Sequence, residues 1–99
     1  MPRNGMRPVH PGEVLREDYL VPLSMSVNAL ASALRVPATR LHEILKERRS
    51  ISADTALRLA RYFGGDAQSW MNLQAMYDLR SVERSAAAAI ARDVSPRAA

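Results

Sequence analysis

The sequence contains no cysteine among its 99 residues. Without cysteine the chain has no disulfide bond, no thiolate zinc site and no thiol nucleophile. The absence of disulfides also fits a protein of a reducing, intracellular compartment. A chain of this length fits one domain with a single modest core.

The sequence also lacks a long apolar run. The longest one, residues 86–91, consists mostly of alanine and falls far short of the roughly 20 residues that cross a bilayer. No signal-peptide pattern opens the chain. We therefore expect a soluble, cytoplasmic protein without a membrane partner.

Patterns typical of enzymes and metal sites are absent as well. His10 and His42 lie far apart in the sequence without a cluster of carboxylates beside them, which argues against a metal site. Glu17 and Asp18 are adjacent and point to different sides of a helix, so they do not form an acid–base pair. No glycine loop of the phosphate-binding type occurs. We predict no metal, no cofactor and no enzymatic activity.

Positive charge is concentrated in the middle of the sequence. The net charge is +4, and residues 35–61 contain seven basic side chains against three acidic ones, which accounts for the whole excess. A local positive field of this kind is typical of a surface that binds a polyanion. A solvated helix face is the alternative interpretation.

The spacing of apolar residues predicts helices and no strand. Residues 1–11 contain three prolines and a glycine, which predict an extended N-terminal arm. Pro11 can open a first helix of two to three turns, and we expect this helix to end just before Pro22.

Two short helices joined by a tight turn follow. Ser26 is the predicted N-cap of the first, in which apolar residues recur at positions i, i+3, i+4 and i+7. Pro37 disfavours helical geometry at the preceding residue, so the second helix begins after only three or four residues. The pair, over about residues 26–47, has the signature of a helix-turn-helix.

Two more helices complete the pattern. Ser52 and Asp66 are their predicted N-caps, and Gly64 or Gly65 can end the helix between them. The last helix has an apolar surface wider than one neighbouring face requires, which favours a dimer interface. Its predicted residues are Trp70, Met71, Ala75, Leu79 and Val82. The alternative is that the chain's own core covers the whole stripe.

The chain divides into three predicted parts. The arm occupies residues 1–11, the helix-turn-helix domain residues 12–81 and a C-terminal extension residues 82–99. Alanine favours helix in this extension, whereas few of its side chains are apolar enough to pack, and Pro96 prevents helix continuation. We expect either a helical extension or a flexible tail.

The second helix of the motif carries the candidate DNA-reading residues. In such motifs its N-terminal side chains face base edges in the major groove. Arginine pairs with guanine or a phosphate, glutamate accepts from cytosine, and small apolar groups fit against a thymine methyl. The predicted base-reading residues are Ala38, Thr39, Arg40, His42 and Glu43.

A second group of residues is suited to the phosphate backbone. Cationic side chains after the second helix, and hydroxyls at helix starts, are common phosphate ligands. Such contacts provide affinity and register rather than sequence choice. The predicted phosphate-contacting residues are Ser26, Lys46, Arg48, Arg49 and Ser52.

Residues 26–52 resemble the helix-turn-helix of the phage-repressor or XRE group. The flanking segments "HPGEVLREDYLVPL" and "ISADTALRLARYFGGDAQSWMNLQAMYDL" resemble the HigA family of antitoxins, and the resemblance covers about residues 7–80. It implies a five-helix, lambda-repressor-like domain that dimerises largely through its C-terminal region. It also implies an autorepressor that binds a palindromic double-stranded DNA operator and neutralises a HigB toxin, a RelE-like mRNA endonuclease.

Two positions depart from the family pattern. Many relatives have Asn-Gly directly after the recognition helix, where this chain has Lys46 and Glu47, so the path of this loop is open. Many also have glycine in the turn between the two helices. Arg35 stands there in this chain, and we expect it to adopt a conformation that is unfavourable for a residue with a side chain.

The surface for a toxin is open between two regions. Glu13, Glu17 and Asp18 give the first helix an acidic face suited to a basic nuclease, and the resemblance favours this N-terminal region. The alanine-rich tail is the rival, because many antitoxins fold a disordered tail on their toxin. The alternative function is a stand-alone XRE-type repressor without a toxin partner.

Overall fold

A computed structural model describes residues 7–98 of the chain. Its first helix, α1, spans 11–23 as three consecutive segments, and four more helices follow. The segments of α1 are Pro11–Val14, Leu15–Leu20 and Val21–Leu23, and the others are α2 (Val27–Leu34), α3 (Ala38–Leu45), α4 (Ala53–Phe63) and α5 (Ala67–Asp93). Residues 7–98 contain no strand, so the predicted all-α, five-helix fold is confirmed. The first six residues of the predicted arm lie outside the described residues.

Helix α1 begins at Pro11, as predicted, and differs from its prediction at its C-terminal end. His10 is its N-cap, and the His10 Nδ1 atom accepts a hydrogen bond of 2.9 Å from the Gly12 N–H. The middle segment is π-helical, and Pro22 lies inside the last segment instead of beyond the helix. The prediction that α1 ends before Pro22 is therefore wrong. The fixed φ of proline suits a helix, and the missing N–H costs one hydrogen bond to the preceding turn.

The turn between α2 and α3 is closed by backbone hydrogen bonds. Ser26 caps α2 as predicted, with its hydroxyl oxygen accepting from the Ala29 N–H. Arg35 has φ 59° and ψ 46°, which confirms the expected left-handed conformation. The N–H groups of Arg35 and Val36 donate to the carbonyls of Ser32 and Ala31. This pairing satisfies the last carbonyls of α2 and reverses the chain in a few residues.

The N-caps of α4 and α5 are also those predicted. The Ser52 hydroxyl accepts from the Thr55 N–H, and the Asp66 carboxylate accepts from the Ser69 N–H. Gly64, with φ 90°, ends α4 in a conformation that suits glycine.

Helix α5 continues through Asp93, so the helical extension, and not a tail, is present up to that residue. Alanine has the highest intrinsic helix propensity, which explains a helix with so little to bury. The helix crosses residue 82 without a break, and the predicted domain division there stays a prediction. The Cα envelope measures 53 × 25 × 24 Å, because α5 projects from the rest of the chain.

The core lies where α1, α2, α3 and α4 meet. Leu15, Leu30, Leu41 and Leu59 are fully buried in it. Gly12 allows α1 to approach α3 closely, since a Cβ atom there would lie 2.0 Å from the Ile44 carbonyl oxygen. The residue is therefore required by contact between two helices.

Two residues connect the first half of α5 to this core. Trp70 is 5% exposed and lies beside Tyr19, with ring centroids 5.4 Å apart. The buried Gln74 side chain accepts a 2.8 Å hydrogen bond from the Ile51 N–H and donates to Asp78. Trp70 was predicted in the dimer interface, and its indole packs within its own chain, which leaves little of it exposed to a second copy. Its place in the interface stays a prediction.

Candidate nucleic-acid interface

Helix α3 has one buried side and one exposed side. Leu41, Ile44 and Leu45 are buried in the core. Thr39, His42 and Glu43 are exposed, while Ala38 and Arg40 are half-buried at the N-terminal end. The five predicted base-reading residues therefore lie on or beside the exposed side of a helix whose other side is fixed by packing. This arrangement suits insertion into a DNA groove.

Arg40 is held by neighbouring side chains. Its Nη1 atom lies 2.8 Å from Asp54 Oδ2 and 3.4 Å from Thr55 Oγ1. The Arg40 side chain is 27% exposed. Arg40 is thus less free than its neighbours on the helix, a fact that sequence spacing alone did not indicate.

The loop after α3 presents three cations to solvent. Lys46, Arg48 and Arg49 are exposed, and Arg49 forms a 3.3 Å ion pair with Glu43. Glu47 has φ 61°, a left-handed conformation that glycine adopts more readily than a residue with a side chain. The N–H groups of Glu47 and Arg48 donate to the carbonyls of Ile44 and Glu43. The loop thus ends α3 in the same way that Arg35 ends α2.

The two predicted phosphate-contacting serines lie at exposed helix starts. Ser26 caps α2 and Ser52 caps α4. The open N–H groups of a helix start, together with the helix dipole, attract anions. Both serine oxygens already accept from their own helix, so they support such a site chiefly by orienting the helix start.

Two further arginines fix the orientation of the motif. Arg16 of α1 donates to the Leu45 carbonyl at the end of α3, at 2.8 Å. Arg58 of α4 donates to the Leu34 carbonyl at the end of α2, at 2.9 Å. Each places positive charge at a helix C-terminus, where the dipole favours it. Sequence reasoning treated Arg58 only as part of the basic charge, and no local pattern marked either contact.

The electrostatics around α4 follow from these ion pairs. Hydrogen bonds from Arg58 and Arg40 lower the pKa of Asp54 below its usual value. The carboxylate therefore stays ionised at neutral pH and offsets part of the positive charge around it. Among residues 7–98 there is no group of three or more potential metal ligands.

The remaining predicted dimer residues lie along α5. Ala75, Leu79 and Val82 are exposed, and Met71 is half-buried. Leu79 is 59% exposed. Apart from Trp70, the predicted set is therefore accessible to another chain, and its role in dimerisation stays a prediction.

The predicted toxin-binding acids form a mixed surface. Glu13 is half-buried and pairs with Arg7 at 2.8 Å. Glu17 is exposed and pairs with Arg16 at 3.0 Å, and Asp18 is also exposed. The first helix thus carries its acids among cationic partners, and the toxin contact stays a prediction.

A protein-family model described as "Helix-turn-helix" matches residues 15–70, more than half of the chain. This chain belongs to the helix-turn-helix family. The match includes both helices of the motif and the whole of α4. None of the helices described in this helix-turn-helix chain is long and apolar enough to cross a membrane.

Known proteins resemble this family member over most of its length. Virulence-associated protein I of Dichelobacter nodosus is 58% identical over 83% of this chain and 76% of its own. The solved structure of PA4674 from Pseudomonas aeruginosa, in complex with its 18-bp operator DNA, has a TM-score of 0.87 and 46% identity, covering 96% of this chain and all of that one.

The resemblance to HigA has a direct structural counterpart. Pseudomonas aeruginosa antitoxin HigA, solved with the higBA promoter, has a TM-score of 0.88 and 44% identity. The match covers 93% of this helix-turn-helix chain and all of that protein. These comparisons confirm the HigA-type resemblance inferred from the sequence.

Proposed function

We propose that this protein is a HigA-type antitoxin and autorepressor, which binds a palindromic operator as a dimer and neutralises a HigB/RelE-like mRNA endonuclease. The observation that carries the DNA-binding part is the geometry of α3. Its exposed side combines small, polar and charged groups, and a loop with three cations follows it. Similarity to proteins solved with operator or promoter DNA supports the same conclusion.

In this proposal the residues divide into two roles. Ala38, Thr39, Arg40, His42 and Glu43 contact base edges in the major groove. Ser26, Lys46, Arg48, Arg49 and Ser52 lie against the phosphates, where charge and helix N–H groups provide affinity.

Dimerisation would give the protein the symmetry of its operator. Two copies that associate through Ala75, Leu79 and Val82 would present two α3 helices about 34 Å apart, one turn of DNA, or a multiple of that distance. Leu79 and Val82 are large apolar side chains exposed on the same part of α5, which supports this part of the proposal.

The toxin-binding surface is proposed on α1 and the preceding residues. Glu13, Glu17 and Asp18 would face a basic toxin, although cations of the same region partly offset their charge. We propose no catalytic role for this chain, since its relatives are antitoxins and helix-turn-helix regulators. Operator binding would place it in the cytoplasm with the DNA.

The DNA-binding proposal is tested with a fragment of the protein's own promoter. Fluorescence anisotropy at several salt concentrations should show tight binding. The logarithm of the association constant should fall linearly with the logarithm of the salt concentration, because phosphate contacts release counterions. A fragment of equal length and shuffled sequence is the control. No salt-dependent binding at low salt would refute the proposal.

Toxin neutralisation is tested separately by a pull-down of the tagged protein from its host's lysate, with mass spectrometry of small co-eluting proteins. Recovery of a basic, RelE-like protein would support the antitoxin role, as would an adjacent reading frame for such a protein. Intact promoter binding without either would favour the stand-alone repressor.

A further inference from the structure

One carboxylate oxygen connects the recognition helix to its scaffold. Asp54 lies in the first turn of α4, and its Oδ2 atom accepts hydrogen bonds from two arginines. Arg40 of α3 donates at 2.8 Å, and Arg58 of α4 donates at 2.9 Å. Charge-assisted pairs of this length are stronger than neutral hydrogen bonds.

The second arginine is itself fixed to the motif. The Arg58 Nη1 atom donates to the carbonyls of Leu34 and Arg35, at 2.9 Å and 3.4 Å. Asp54 is therefore located where the end of α2, the first turns of α3 and the start of α4 come together. The position of the Arg40 side chain, which is bound to Asp54, therefore depends on all three helices.

Arg40 keeps a free edge in this arrangement. Within residues 7–98, its hydrogen bonds to Asp54 and Thr55 both use Nη1. A guanidinium has five N–H groups in a planar fork, so the edge formed by Nε and Nη2 is available. Such an edge can donate two parallel hydrogen bonds to guanine or to a phosphate.

We propose that Asp54 is a specificity-determining positioning residue for DNA recognition, which holds Arg40 by Nη1 so that its free edge meets one base of the operator. This inference rests on the proposed function. It assigns Asp54 no contact with DNA. Its effect has two parts, because it orients Arg40 and because its charge opposes the attraction of the surrounding cations to any phosphate backbone.

The second part follows from the exposure and ionisation of the carboxylate. The Asp54 side chain is 55% exposed, so its field extends into solvent beside the proposed interface. Binding to DNA of arbitrary sequence is almost entirely electrostatic, whereas operator binding also uses base contacts. A fixed negative charge that orients a base-reading arginine therefore favours the operator over other DNA.

The test uses the full chain with the substitution Asp54→Asn, which keeps the side-chain shape and removes the charge. Affinities for the promoter fragment and for a shuffled duplex are measured by fluorescence anisotropy over a range of salt concentrations. We expect shuffled-DNA binding to strengthen and the ratio of specific to non-specific affinity to fall about tenfold, as for one lost base contact.

Asp66→Asn is the matched control. It changes the net charge equally, and Asp66 is also a carboxylate at a helix start, where it caps α5 through the Ser69 N–H. Asparagine is an equally good N-cap. We expect this variant to retain the specificity ratio of the wild type. An equal fall in both variants would overturn the proposal, because net charge would then explain it.

The role of Arg40 is tested by combining substitutions. If Asp54 acts through Arg40, Asp54→Asn and Arg40→Ala should relax discrimination at the same operator base pair. In the Arg40→Ala background, Asp54→Asn should then leave the base preference unchanged. Relaxation at a different base pair, or a further loss in that background, would overturn the proposal.

Two controls test whether the variants are folded and whether the charge of Asp54 matters. Thermal unfolding of each variant shows whether it is folded at the assay temperature, and Asp54→Glu, which retains the charge, should recover part of the specificity ratio. If Asp54→Glu behaves as Asp54→Asn does, a negative charge at this position does not set the ratio, and the charge part of the proposal is refuted. Failure of the proposed function would instead appear as a wild-type protein that does not prefer its promoter.

Discussion

The two halves of α5 belong to one helix and differ in what they contact. The first half contains the buried side chains of Trp70 and Gln74, and Tyr77 lies edge-on to His10 at 4.8 Å. From Leu79 to Asp93 no residue is buried, and Leu79, Val82 and Ile90 are exposed. Tertiary packing stabilises the first half, whereas the second depends on helix propensity and on whatever covers its apolar side chains.

The last helix thus has two parts with different surroundings. Its first half completes the core beneath the recognition helix, because Gln74 connects it to the residues just before α4. Its second half leaves large apolar side chains available to a second copy. Substitutions in the first half should therefore change unfolding, and those in the second half should change association.

Among single substitutions in α5, we expect one at Trp70 to lower the stability of the fold most. We predict that Trp70→Ala lowers the free energy of unfolding by about 3–5 kcal/mol, because it removes a buried aromatic side chain and leaves a cavity. Leu79→Ala, on the exposed part of the same helix, is the control and should change it by less than about 0.5 kcal/mol. Urea denaturation at a concentration where both variants are monomeric measures the two values. Equal effects would contradict the division of α5.

The next effect concerns Gln74. Gln74→Leu removes the acceptor of the Ile51 N–H, which then stays buried without a partner, and we predict a loss of about 1–3 kcal/mol. Gln68→Leu is the matched control, since Gln68 is exposed and bonds only the side chain of Asn72 among the described residues. A Gln68 variant as unstable as the Gln74 variant, in the same urea assay, would show that the buried hydrogen bond is not the cause.

The second half of α5 is tested by association. We predict that Leu79→Asp yields a monomer with near-normal thermal unfolding, since a charge replaces an exposed apolar side chain in the proposed interface. Sedimentation velocity at micromolar concentration measures the mass. Asp93→Asn, near the end of the helix, is the control and should remain dimeric. A dimeric Leu79→Asp protein would remove this surface from the proposal.

The smallest effect is a pH dependence in the contact between α1 and α5. His10 is 2% exposed, and its burial lowers its pKa below the ordinary 6.5, although Glu47 and Asp78 partly oppose this. The neutral ring accepts from Gly12, so the folded state disfavours protonation. The contribution of neutral His10 to stability is therefore fully present above about pH 6.5, the pKa of histidine in the unfolded chain. It is lost as the pH falls toward the lower pKa that His10 has in the folded protein.

His10→Asn provides the comparison for that dependence. Asparagine can still cap α1 and does not titrate in this range. Denaturation between pH 5 and 8 should therefore give a flatter curve for the variant, and parallel curves would exclude His10 as the source.

Local chemistry accounts for the part of this fold that was predictable. The caps Ser26, Ser52 and Asp66 were predictable because an N-cap side chain bonds a backbone amide in the first turn of its own helix. In each case the bonded amide lies three residues further along the chain. The conformation of Arg35 was also anticipated, since the family pattern has glycine at this turn.

The features that were missed depend on contacts between distant segments. Gln74 bonds Ile51, 23 positions away, and the pair of Arg40 and Asp54 joins different helices. Trp70 looked like an interface residue because periodicity defines an apolar side without showing what covers it. The exposed side of α3 was predictable, because the apolar stripe of a short helix shows which side is buried and therefore which residues face solvent.

In the proposed function, α3 reads an operator while the loop after it binds phosphates. The most direct measurement compares Arg40→Ala and Arg48→Ala in binding to the promoter fragment, to its single-base variants and across salt concentrations. We predict that Arg40→Ala costs about 1–3 kcal/mol and relaxes preference at one base pair. Arg48→Ala should weaken all sequences alike and reduce the salt slope by about one. Identical profiles for the two variants would contradict this division of roles.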